Sequence, residues 1–137
     1  MTRYYLAKTD PATYTVQQMA EEGRTLWDGV RNAQAVQAIK DMKPGDRVFI
    51  YHSGGVSAVV GLATVAGEPH PAQGDPKSWA VEMKFVTMIE PPVPLSSIKA
   101  SGLFNDWALV RQSRLSTMAA PQSFVGWMRK QFPKIKI

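Results

Sequence analysis

The sequence predicts a single α+β domain spanning residues 1–137. Its frame is a mixed, mainly antiparallel β-barrel or curled sheet of five to six strands with about three flanking helices. Three observations lead there. Long hairpin-forming stretches dominate the middle of the chain. Strands do not alternate strictly with helices, which disfavours a doubly wound parallel sheet. At 137 residues the chain matches one domain by length.

Arg3 to Thr9 reads as the opening strand. Tyr14 to Glu22 reads as a helix, because Thr15-Val16-Gln17-Gln18 fits a capping box and Gly23 fits a stop. Asn32 caps a second helix that runs through Met42, with Ala35, Val36, Ala38, Ile39 and Met42 as its apolar stripe. Lys43-Pro44-Gly45-Asp46 turns the chain into a strand over Arg47–Tyr51. Val48, Phe49 and Ile50 are consecutive, so both faces of that strand are expected to be covered. Gly54-Gly55 forms a hairpin turn, and the return strand runs from Val56 to about Gly67. Gly61 inside it marks a bulge or a close backbone approach.

The stretch from Gly67 to Ser78 carries Pro69, Pro71, Gly74 and Pro76 and reads as a surface loop. Trp79 to Ile89 is the next strand, with Trp79, Val81, Met83, Phe85, Thr87 and Ile89 on its core parity. Pro91-Pro92-Val93-Pro94 is expected to stop it. Leu95 to Lys99 forms one helical turn, and Ala108 to Met118 is expected to hold at least one more strand. Ser123 to Gln131 closes the chain as a helix, with Phe124, Trp127 and Met128 on one face.

Composition narrows the function. There are 0 cysteines, which excludes a disulfide framework, thiolate metal sites and a cysteine nucleophile. His52 and His70 are the only histidines, and no carboxylate cluster flanks either, so no metal and no cofactor is expected. Met1 to Ala12 lacks the apolar core of a signal peptide, and no segment reaches the ~20 apolar residues of a membrane span. A cytoplasmic or nucleoid-associated setting, with no membrane, is the expectation. The net charge is +5, from 16 Lys and Arg against 11 Asp and Glu. Residues 111–137 carry Arg111, Arg114, Arg129, Lys130, Lys134 and Lys136 and no acid, which suits attraction to a polyanion.

Three runs stand out: Trp27-Asp28-Gly29-Val30-Arg31-Asn32, Asp46 through Tyr51-His52-Ser53, and Arg111-Gln112-Ser113-Arg114-Leu115-Ser116. Each joins an aromatic or basic side chain to small hydrogen-bonding ones, the chemistry needed to read a flat polar ring. His52 and Ser53 are adjacent on a strand, so they face opposite sides and make a poor nucleophile–base pair. These runs resemble the EVE domain family of the PUA-like superfamily. The likeness covers nearly the whole chain: Tyr5-Leu6-Ala7-Lys8, then Trp27 to Asn32, then Met42 to Asp46 leading into Tyr51-His52-Ser53. Val60-Gly61-Leu62-Ala63, Trp79 with Val81, Pro92-Val93-Pro94-Leu95 and Gln112 to Ser116 follow in order. Two places depart from the family pattern, at Ala7-Lys8-Thr9-Asp10-Pro11 and where Gly54-Gly55 follows Ser53.

The resemblance implies a PUA-like barrel that reads one modified base of DNA or RNA in a small cavity, without catalysis. Trp27, set by its sequence at a loop turn entering a helix, is expected to stack on the base. Ser53, Asn32 and Ser116 are expected to read its polar edge. Arg31 and Arg114 are expected to hold the adjoining phosphates; for Arg31, which gains nothing from its place at a helix N-terminus, a partner such as a phosphate or a base edge is expected. Lys8, Tyr51, His52, Trp79 and Leu115 complete the expected binding set. Each has a plainer reading too: Asn32 as an N-cap, His52 as a structural histidine, Trp27 and Trp79 as core. Two rival functions stay open, a small enzyme acting on nucleotides or RNA and a protein-interaction domain.

Overall fold

A computed structural model describes residues 2–137. The alternating and continuous apolar runs of the sequence become one sheet. Its strands are β1 (Tyr4–Thr9), β2 (Arg24–Val30), β3 (Arg47–His52), β4 (Ala58–Val65), β5 (His70–Pro71), β6 (Trp79–Pro94) and β7 (Thr117–Ala119). The helices are α1 (Val16–Glu22), α2 (Ala33–Asp41), α3 (Leu95–Ala100), α4 (Ala108–Arg111) and α5 (Gln122–Gln131). The strand order is β2-β6-β4-β3-β1-β7, with β5 paired on β6. Among the described residues, β1 and β3 are the pair that runs parallel, and the other pairs are antiparallel. No pairing joins β2 to β7 among the described residues, so the sheet is a curled half-barrel. The expected α+β class holds, with two more helices and at least one more strand than the sequence announced.

Both faces of β3 are covered, as its unbroken apolar run requires: Val48, Phe49, Ile50 and Tyr51 are all buried. Phe49 meets Phe124 of α5 edge-on at 5.2 Å. Ile50, one residue on, points the other way. On that side Gly61 of β4 lets α1 come close: a Cβ at Gly61 would lie 2.6 Å from Val16 Cγ2. The capping box at Thr15 and the stop at Gly23 bound α1 as expected. Asn32 caps α2 by accepting from the Gln34 and Ala35 amides at 2.9 and 3.1 Å.

Two expectations are corrected. Residues 24–30 are a strand, not a loop. They pair antiparallel with β6, Trp27 opposite Val81, and Arg24 ion-pairs with Glu82 across the ladder at 2.7 Å. The Asp28-Gly29 dipeptide that reads as a turn is a bulge in β2, with Gly29 at φ 78°. Second, β6 does not stop at Pro91. Its ladder with β4 shifts between Val59 and Gly61, and Pro91 and Pro92 fall in that gap, where no ladder donor is required, while Pro94 stands opposite Ala58 at the end of the strand. The strand expected near the end of Ala108–Met118 is β7, Thr117–Ala119, and it is preceded by the helix Ala108–Arg111. The Trp107 indole N–H donates to the Ala119 carbonyl at 2.8 Å and ties the two together.

Candidate functional site

The parallel pair β1–β3 sends Lys8, Thr9, Tyr51 and His52 to one end of the sheet. A cleft of about 480 Å³ opens there. Its walls are the end of β1, the following loop, β2 and Ser116. The loop is fixed by its own hydrogen bonds. Thr13 and Tyr14 amides donate to the Asp10 carbonyl, each at 2.9 Å, and Thr9 Oγ1 donates to the Tyr14 carbonyl at 2.9 Å. The Tyr14 phenol donates to Glu22 of α1 at 2.5 Å. Tyr14 also presents its ring at 78° to the Trp27 indole, centroids 6.3 Å apart. The aromatic wall is therefore set before any ligand arrives.

Trp27 is 8% exposed, and what remains exposed lines this cleft. It sits on a strand and not in the expected loop. Asp28 and Gly29, raised by the bulge, form the rim beside it. Lys8 lies half-buried at the opposite wall. Its ammonium donates to the Ser113 carbonyl at 3.1 Å and stands 5.5 Å from the Tyr51 ring centroid. Burial holds that ammonium below the usual lysine range. No carboxylate is within ion-pair distance of it among the described residues. The Lys8 bond to Ser113 bridges the cleft to a shallower depression of about 290 Å³, lined by Asn32, Arg111, Gln112, Ser113, Arg114 and Leu115.

The structure thus brings Lys8, Trp27 and Ser116 into one cleft and Asn32, Arg114 and Leu115 into the depression beside it. The remaining residues of the expected set lie elsewhere. Tyr51 is buried behind Lys8, and burial pushes its phenol up. His52 lines a separate groove with Val16, Gln17 and Val56. Its Nε2 accepts from the Val16 amide at 3.0 Å, so the ring anchors the start of α1. Ser53 donates through both its amide and its hydroxyl to the Thr9 carbonyl, at 2.9 and 3.4 Å. With these partners, His52 and Ser53 form no nucleophile–base pair. Arg31 is paired with Asp75 of the 67–78 loop at 3.0 Å, which supplies the partner its position at a helix start lacked. Trp79 lies beneath the Lys40 ammonium at 4.9 Å and outside the cleft lining.

Sequence reasoning missed Tyr14, Thr25, Leu26 and Asp28 as cleft residues. Tyr14 is read there as the start of a helix and Asp28 as a turn acid. The available signal was the alternation Thr25-Trp27 against Leu26-Asp28, which marks a strand; residues of both parities line the cleft because the strand forms its edge and is bulged at Asp28-Gly29.

The family model described as "EVE domain" matches residues 3–131. Mouse thymocyte nuclear protein 1 is 25% identical over 158 residues, covering 89% of this chain and 70% of that protein. Among solved structures, Rpa0253 from Rhodopseudomonas palustris superposes with a TM-score of 0.89 at 30% identity, over 99% of this chain and 97% of that one. Human THYN1 protein, solved in complex with 5-methylcytosine-containing DNA, superposes with a TM-score of 0.85 at 23% identity, over 95% of this chain and 98% of that one.

Proposed function

This chain belongs to the EVE domain family, and from that premise we propose that it is a non-catalytic module that takes one modified base of a nucleic-acid strand into the cleft beside Trp27. The observation that carries the reading is the pairing of an aromatic wall with an unneutralised cation across one cavity. Trp27 and Tyr14 supply a flat surface, and Lys8 faces the same space. A stacked aromatic contributes ~1–3 kcal/mol per base. The cleft volume of about 480 Å³ falls within the ~300–1,000 Å³ of small-ligand sites. Ser116, Asp10 and Asp28 line it and can supply donors and acceptors for a base edge. Lys8 and Arg114 are positioned for the flanking phosphates, and binding weakens with added salt as those contacts release counterions.

The human THYN1 complex supports DNA as the polymer and a methylated cytosine as the base. A buried methyl contributes only ~0.8 kcal/mol. Preference for the modified base therefore depends on the shape of the wall formed by Trp27, Leu26 and Val30.

The test is calorimetric titration of the wild type, Trp27→Ala and Trp27→Leu with a short strand carrying one 5-methylcytosine, as DNA and as RNA. Loss of Trp27 is expected to weaken binding by at least about tenfold, as a stacking contribution of ~1–3 kcal/mol requires. Folding of each variant is checked by circular dichroism. Unchanged affinity in a folded Trp27→Leu protein overturns the stacking role.

A further inference from the structure

We propose that the nucleic-acid backbone runs on from the cleft to a second contact surface at the opposite end of the sheet, where Lys43, Arg47, Arg129, Lys130, Lys134 and Lys136 form a phosphate-binding cluster. The proposal rests on the single-base reading above and adds to it a surface that touches no base. Two observations lead there. Every acidic residue lies at or before Asp106, so residues 107–137 hold cations and no acid. That same stretch begins beside the cleft and finishes at the far end of the sheet.

The path follows from the register. Arg114 lines the depression beside the cleft, and the Ser116 carbonyl accepts from the Lys8 amide at 2.8 Å. β7 then runs antiparallel to β1, and the Ala120 amide donates to the Tyr4 carbonyl at 2.8 Å. After α5 the chain is drawn back onto the start of β3. The Arg47 guanidinium donates to the Lys136 carbonyl at 2.5 Å. Arg129 donates to the Ile137 main-chain oxygen at 3.0 Å and to the Tyr4 hydroxyl at 3.1 Å. Tyr4 and Arg47 are direct neighbours on the β1–β3 ladder. These bonds fix the tail, and Lys130, Lys134 and Lys136 stay exposed around it.

The charge at this end is unanswered. Among the described residues none of the six cations is in an ion pair. Asp46, in the turn before β3, is 4% exposed and accepts from the Arg3 and Lys43 amides, each at 3.0 Å, so its carboxylate is held inside the turn. Arg3 does not belong to the cluster, because it lines a groove beside α2 together with Asp41. Arg111 is answered by Asp106 at 3.3 Å. Clustered cations without counter-charges favour a polyanion, since each neutralised phosphate releases counterions. The unbroken acid-free course from cleft to cluster selects the same polymer at both. Tyr4 and Lys8 lie four residues apart on β1, about 13 Å at ~3.3 Å per residue. A strand stacked as in a duplex covers that distance in about four nucleotides at ~3.4 Å each. A ligand that only fills the cleft therefore stops short of the cluster, and a longer one reaches it.

The experiment titrates two single DNA strands by calorimetry at several salt concentrations: a trinucleotide with 5-methylcytosine at its centre, and a strand of about twenty nucleotides with the same base in the middle, long enough to pass the ~13 Å span. The proteins are the wild type, a triple variant (Lys130→Gln, Lys134→Gln, Lys136→Gln) and a charge-matched control (Lys40→Gln, Lys77→Gln, Lys99→Gln), with folding checked by circular dichroism. The triple variant is expected to bind the long strand about tenfold more weakly at low salt, with a salt slope smaller by about two, as three phosphate contacts at ~0.7 each require. It is expected to bind the trinucleotide like the wild type. Its loss on a long strand without the methyl group is expected to be the same, because phosphate contacts hold no sequence information. Equal losses on both lengths, no loss on either, or the same loss in the control overturn the second surface while leaving the base cleft standing. A wild type that binds the long strand but not the trinucleotide, with the triple variant still losing tenfold, overturns the cleft and supports the surface. Tighter binding of polyglutamate than of the long strand overturns nucleic acid as the occupant.

Discussion

Trp27 and Trp107 are each 8% exposed, yet they belong to different kinds of place. Trp107 sits in a closed aromatic group with Phe49, Phe104, Phe124 and Trp127, in which Phe124 meets its neighbours at centroid distances of 4.6 to 5.8 Å. Its indole N–H is used, donating to the Ala119 carbonyl at 2.8 Å. Trp27 has the edge of Tyr14 as its aromatic neighbour, its indole N–H has no partner among the described residues, and its open side faces the cleft. Burial alone does not tell the two apart. What separates them is whether the neighbours complete the ring's contacts or leave one face and one donor unspent.

The comparison breaks most sharply at Phe124. Phe124→Ala removes the fully buried ring on which Phe49, Phe104, Trp107 and Trp127 converge. A loss of about 3–5 kcal/mol of stability is expected, read as a fall in the urea midpoint with unchanged slope. Affinity for a 5-methylcytosine strand, measured where the variant is fully folded, is expected to stay near the wild-type value. A selective loss of binding would show that the closed group also shapes the cleft.

Gly61→Ala sharpens the boundary between the two regions. The added Cβ would lie 2.6 Å from Val16 Cγ2, inside van der Waals contact, and the β-branched valine has little rotameric escape. The helix α1 has to move, and with it the Tyr14 ring that leads into it. Overpacking of this kind costs about 1–3 kcal/mol. Unlike Phe124→Ala, this change is expected to weaken ligand binding in the folded protein as well, because the displaced element is a wall of the cleft. Titration of the folded variant with the same strand checks it, and wild-type affinity would show that α1 moves without Tyr14.

Much of the frame was legible because it depends on local chemistry. The Thr15 capping box, the Asn32 N-cap, the Gly54-Gly55 turn and the unbroken Val48-Phe49-Ile50 run each act within a few residues. The misreadings share one cause. Asp28-Gly29 has the same local signature in a bulge as in a turn, and only its pairing with β6 decides between them. Prolines 91 and 92 break a regular ladder but not one already interrupted by a register shift. Of the candidate cleft, the order of the runs marked Lys8, Trp27 and Ser116. Its hydrogen-bond partners lay too far along the chain to be read. Lys8 meets the Ser113 carbonyl 105 residues on, Arg31 meets Asp75, and His52 meets Val16 across 36 residues.

That last contact gives the smallest effect and a direct probe of how α1 is held. His52 accepts the Val16 amide through Nε2, a bond that only the neutral ring can make. Burial lowers its pKa from 6.5, so the folded protein binds that proton less readily than the unfolded chain. Between the lowered folded value and about 6.5 the unfolded state carries more protons, and there stability rises with pH. The contribution is complete above about 6.5, declines as the pH falls below it, and is gone beneath the folded value. His52→Gln keeps an acceptor near the Val16 amide without a group that titrates. Urea midpoints measured across this range are expected to show a slope in the wild type that is absent from His52→Gln. Parallel curves for the two proteins would mean that α1 is held by its capping box and by Gly61 alone, and that the histidine ring is a passive neighbour of the cleft wall.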